Sequence, residues 1–96
     1  MSRDLRPTEG ARFLLELDRD DGATASYRVA IFTPEASHTG VATVGDDGAA
    51  TLVPTGAPAE LDDAAGKLAK LLARDAAKRR ADGLPAWPAR ILRWRR

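Results

Sequence analysis

Two groups of basic residues stand where they could hold an anion. Lys67, Lys70, Arg74 and Lys78 recur every three or four residues, which on a helix gathers them within about 80° of one another. Such a row suits the successive phosphates of a nucleic acid, and it equally suits the solvated face of an amphipathic helix. Arg90, Arg93, Arg95 and Arg96 follow near the C-terminus, interleaved with Trp87, Ile91 and Trp94. Arginine beside tryptophan can grip a backbone and stack a base. The same residue types anchor protein interfaces, so Trp87, Ile91 and Trp94 are also candidate docking residues, within the chain or on a second one.

Other chemistry finds less support. His38 is the lone histidine. General-base work would need an orienting carboxylate and a nucleophile converging on it, and only Glu35 and Ser37 are near in sequence. Asp18, Asp20, Asp21, Asp46 and Asp47 could offer carboxylates to a hard cation, but their spacing does not match a calcium-binding loop. Each Asp-Asp pair precedes a glycine, which turn chemistry explains more simply. There is no cysteine, so disulfides and thiolate metal sites are excluded. No Gly-rich phosphate loop, nucleophile elbow or zinc spacing is present. The chain reads as a non-enzymatic protein, without a metal, a cofactor or an evident small-molecule ligand. No motif ties it to a particular family.

The charge is unevenly placed. Residues 1–66 carry five arginines against twelve acidic residues, a net −7, whereas residues 67–96 carry ten basic residues against two, a net +8. The overall +1 conceals this division. A basic C-terminal third points to an anionic partner, or to docking on the acidic part of the same or another copy. Arginine outnumbers lysine twelve to three. A GC-rich genome explains that ratio, so arginine content alone says little about nucleic acid. No apolar run approaches the ~20 residues needed to span a bilayer. The first ten residues contain Arg3, Asp4, Arg6 and Glu9 and no apolar stretch, which does not fit a secretory signal. A cytoplasmic location without membrane attachment is expected.

These groups must be positioned by elements that the patterning predicts. With 96 residues, one α+β domain over 11–96 is expected after a mobile lead-in over 1–10. Residues 12–18 alternate, with Phe13, Leu15 and Leu17 on one face, the period of a half-buried strand. Leu14 interrupts the polar face and indicates partial cover on the second side. Residues 24–33 place Tyr27, Val29 and Ile31 on one face and Arg28, Ala30 and Phe32 on the other. Asp20-Asp21-Gly22 joins these two runs as a tight hairpin turn. Asp46-Asp47-Gly48 does the same between strands predicted at 39–45 and 49–54. The result is a four-stranded antiparallel meander of two hairpins.

One long C-terminal helix is predicted over 58–82. Pro58 suits its first turn, Glu60, Asp62 and Asp63 complement its dipole, and Gly83 followed by Pro85 ends it. Leu61, Ala64, Ala65, Leu68, Leu71, Leu72 and Ala76 form its apolar stripe. Full burial of the four leucines would contribute about 6–12 kcal/mol, which requires a sheet face beneath them. A Trp/Arg-rich tail over 84–96 completes the chain and is too apolar to float free. The expected function is a binding module for DNA or RNA, using Lys67, Lys70, Arg74, Lys78, Arg90, Arg93, Arg95 and Arg96. The rival expectation is a structural or protein-interaction role, as a homodimer or adaptor, with the tail as docking element.

Overall fold

Both Asp-Asp-Gly segments turn hairpins. The computed structural model describes residues 9–95. It joins β1 (Ala11–Asp20) to β2 (Thr24–Phe32), and β3 (Ser37–Gly45) to β4 (Ala50–Leu52). In the first turn the Asp21 carboxylate accepts hydrogen bonds from the Ala23 and Thr24 amides at 3.1 and 2.8 Å and from Thr24 Oγ1 at 3.1 Å. The bonds from Thr24 hold the Asp21 carboxyl below its ordinary pKa. In the second turn Asp47 accepts from the Ala49 amide at 3.0 Å. These carboxylates close turns, as short polar side chains do. Asp46 N–H donates to the Ala23 carbonyl at 2.8 Å, which ties the two turns to each other.

The sheet has five antiparallel strands in the order β4-β3-β2-β1-β5, not the four expected. The additional strand is β5 (Arg90–Arg95), formed by what the sequence presented as a tail. It pairs with β1 from Ala11 opposite Arg95 to Glu16 opposite Arg90. Strand β1 therefore lies inside the sheet, which accounts for Leu14: its partners are Ala30 on one side and Leu92 on the other. Strand β4 is shorter than the predicted 49–54, although the Val53 amide still reaches the Val41 carbonyl at 2.9 Å. Of the predicted lead-in, residues 1–8 lie outside the described residues, and so does Arg96.

Helix α1 (Ala59–Ala81) follows Pro58, whose φ of −51° leads into it. Glu60 and Asp62 occupy its first turn. Asp62 also reaches back to accept from Thr55 Oγ1 at 2.7 Å and from the Thr55 amide at 3.3 Å. The C-terminus closes with two reverse hydrogen bonds, Gly83 N–H to the Arg80 carbonyl at 3.0 Å and Leu84 N–H to the Arg79 carbonyl at 2.8 Å. Gly83 sits at φ +78°, where a side chain would be strained.

The helix packs on one face of the sheet, but through alanines more than leucines. Its buried residues are Ala65, Ala69, Leu72, Ala73 and Ala76. Leu61 and Leu68 are partly buried, and Leu71 is 43% exposed. The leucine estimate is therefore not reached. Small residues let the helix approach the sheet closely, and the large groups come from the strands: Phe13, Leu15, Tyr27, Val29, Ile31 and Val44. No helix among the described residues is long and apolar enough to cross a membrane.

Candidate nucleic-acid-binding surfaces

The segment between helix and β5 determines where the tail residues go. Trp87 is 5% exposed and belongs to the core. Its indole N–H donates to the Gly22 carbonyl at 3.1 Å. Arg80 donates to the same carbonyl and pairs with Asp46 at 2.7 Å. Arg79 donates from Nε to the Pro85 carbonyl at 3.0 Å, and the Tyr27 hydroxyl donates to the Pro88 carbonyl at 2.7 Å. Trp87 and Arg80 thus fasten the acidic turns to the end of the helix. Part of the opposite charge of the two halves is met within the chain.

Burial raises the Tyr27 hydroxyl to about 12. An unfolded tyrosine ionises near 10. Between those values the unfolded chain loses its proton first, so folding weakens as pH rises. We expect a loss of roughly 2–3 kcal/mol between about pH 10 and 12, against none of this origin below pH 9. Urea titrations of wild type and Tyr27→Phe across that window will measure it. The variant starts about 1 kcal/mol lower for want of the hydrogen bond and should show a flatter decline.

Lys67, Lys70, Arg74 and Lys78 are exposed on α1. They lie opposite the buried alanines, as the 3.6-residue period requires. The one ion pair among the described residues is Arg80 with Asp46, so no carboxylate of those residues neutralises the row. From Lys67 to Lys78 it spans about 16 Å. Leu71 lies beside it, exposed.

The tail residues do not form one cluster with this row. Partners opposite each other in a sheet share a face. Ile91, Arg93 and Arg95 stand opposite Leu15, Phe13 and Ala11, on the side that carries the helix. Ile91 is half-buried against the core, and Arg93 and Arg95 are exposed at the sheet edge. Arg90, Leu92 and Trp94 stand opposite Glu16, Leu14 and Arg12, on the far side. The eight basic candidates thus divide between the outer helix, the β5 edge and the far side of the sheet, with Arg96 outside the described residues.

That far side is covered by no described element. Across it run three rows of register partners. Phe32, Arg12 and Trp94 form the first; Thr39, Ala30, Leu14 and Leu92 the second; Val41, Arg28, Glu16 and Arg90 the third. Leu92 and Trp94 are 40% and 50% exposed. Trp94 directs its indole N–H to the Glu9 carbonyl at 3.4 Å. A shallow hollow of about 440 Å³ opens over Leu14, Arg28, Ala30, Thr39 and Val41. Arg12, Arg28 and Phe32 were not among the sequence candidates. Their signal was the alternation itself, which sets Arg12 and Arg28 on the outward faces of β1 and β2.

His38 lies in β3 opposite Ile31, and among the described residues no hydrogen bond joins it to Glu35 or Ser37. No group of three or more metal-binding side chains assembles among the described residues. Comparison with protein-family models, curated proteins and solved structures finds no match.

Proposed function

We propose that the protein is a small non-enzymatic module that binds nucleic acid, with Lys67, Lys70, Arg74 and Lys78 on α1 as its phosphate-contacting row. The observation that carries this reading is that the row is exposed, regularly spaced and unneutralised by any described carboxylate, while Arg80 is paired. A 23-residue helix fixed on the sheet presents these charges without a large ordering cost. Binding rather than catalysis fits the acidic residues, since Asp21, Asp46, Asp47 and Asp62 are engaged in turns, an ion pair and the helix start.

The rival reading, a docking tail, has less to support it. The backbone of β5 pairs with β1 of the same chain, and Trp87 lies in its own core. Leu84, Leu92 and Trp94 are the remaining exposed large apolar groups of that segment.

The test is a titration with duplex DNA and with RNA at two salt concentrations. Four phosphate contacts on duplex give a log–log slope near −3.6, about 0.9 per contact. Replacing all four residues with glutamine will weaken duplex binding at least ten-fold at low salt and flatten the slope. Circular dichroism will stay unchanged, because these side chains are exposed. Absence of binding at low salt, or a salt-independent affinity, would refute the assignment.

A further inference from the structure

The side of the sheet that no described element covers combines features that the helix row lacks. Phe32 and Trp94 flank Arg12 in one row, on strands two apart, hence about 10 Å from each other. Arg28 and Arg90 stand four residues along on the same side. Between the aromatic row and the arginines lies a floor of Ala30 and Leu14, with a hollow of about 440 Å³ beside it, within the range of small-ligand clefts. Three arginines face one glutamate on this surface, and none of the three is ion-paired among the described residues.

We infer that this face binds single-stranded nucleic acid, with unpaired bases stacked on Trp94 and Phe32 and the backbone held by Arg12, Arg28 and Arg90. Aromatic rings at intervals with guanidinium groups between them match flat bases alternating with phosphates. A duplex hides its base faces and cannot use the aromatic row. A second copy of the chain fits less well. The three rows cover roughly 400 Å², about half of the ~800 Å² per partner of a stable interface. Two such faces would also set arginine against arginine.

This inference rests on the nucleic-acid reading above but assigns single strands to the side of the fold opposite the lysine row. The two are therefore separable by experiment. The probes are a single strand of about six thymidines and a duplex, titrated at low salt against wild type, Trp94→Ala, Trp94→Phe, Arg28→Gln and the fourfold glutamine variant of the helix row. Trp94→Ala should weaken the single strand about ten-fold or more and leave the duplex unchanged. Trp94→Phe should restore most of the affinity, since phenylalanine also stacks. Arg28→Gln should lower the single-strand salt slope by about 0.7. The oligonucleotide should quench tryptophan emission in wild type and not in Trp94→Phe, which keeps only the buried Trp87. This readout and Arg28→Gln decide the matter even if Trp94→Ala folds poorly. Thymidine binding without quenching, or with unchanged affinity in the folded Trp94→Ala and Arg28→Gln variants, overturns the sheet assignment. If duplex binding still depends on the helix row in that case, the broader reading survives. If neither probe binds, both fall.

Discussion

Replacing Trp87 with alanine will remove a large share of the protein's stability, about 3–5 kcal/mol. Trp87 is 5% exposed, lies in the core and donates its indole N–H to the Gly22 carbonyl at 3.1 Å. Truncating a buried tryptophan costs about 3–5 kcal/mol, and proteins of this kind have about 5–15 kcal/mol in total. The position carries more than its own burial, because it joins the helix exit to the β1–β2 turn, which is itself linked to the β3–β4 turn through Asp46. Trp87→Phe keeps most of the apolar contact and leaves the Gly22 carbonyl with Arg80 as its side-chain donor. It will fall between wild type and alanine. Urea unfolding followed by circular dichroism will rank the three. A loss below about 1 kcal/mol in the alanine variant would show that the segment after the helix does not hold the fold together.

Ending the chain after Ala89 will be at least as damaging. That truncation removes β5, Ile91 from the margin of the core and the register partners of β1 from Ala11 to Glu16. Strand β1, now flanked by β2 and β5, would become an edge with its backbone donors and acceptors unpaired, a template for aggregation. At about 1 kcal/mol net per hydrogen bond, together with the lost burial of Ile91, the deficit is of the order of the whole stability. The expected result is an aggregating or unfolded product by size-exclusion chromatography and circular dichroism. A folded monomer with unchanged melting would mean that β5 is an accessory. This experiment also separates the structural and binding roles of the segment, since point substitutions at Trp94 and Arg28 should impair single-strand binding without this collapse.

The C-terminal segment 84–96 thus contains both kinds of side chain. Trp87 is spent on the fold, whereas Trp94 is half exposed on the side of the sheet that no described element covers. Arg79 and Arg80 sit in the last turn of α1 with Lys78, yet the first two bond to Pro85, Gly22 and Asp46. Basic character therefore does not mark a binding residue by itself.

The sequence by itself determined the local elements: two hairpins, their Asp-Gly turns, the helix with its glycine stop, and the outward face of Lys67, Lys70, Arg74 and Lys78. These follow from short-range causes, namely side-chain periodicity, the positive φ of turn glycines and carboxylates that bond amides two or three residues away. The tertiary structure alone decided that Arg90–Arg95 is a strand beside β1, because a strand's partner is a long-range choice between segments some eighty residues apart. Leu14 carried the one local trace of it, an apolar residue on a face that should have been polar. The tertiary structure also placed Leu71 outward and gave the interface to alanines, since the width of a helix's apolar stripe does not say how closely a sheet will approach it. Pairing across β1 then set Arg90 and Trp94 beside Arg12, Arg28 and Phe32, a group that only backbone hydrogen bonding between distant strands could assemble.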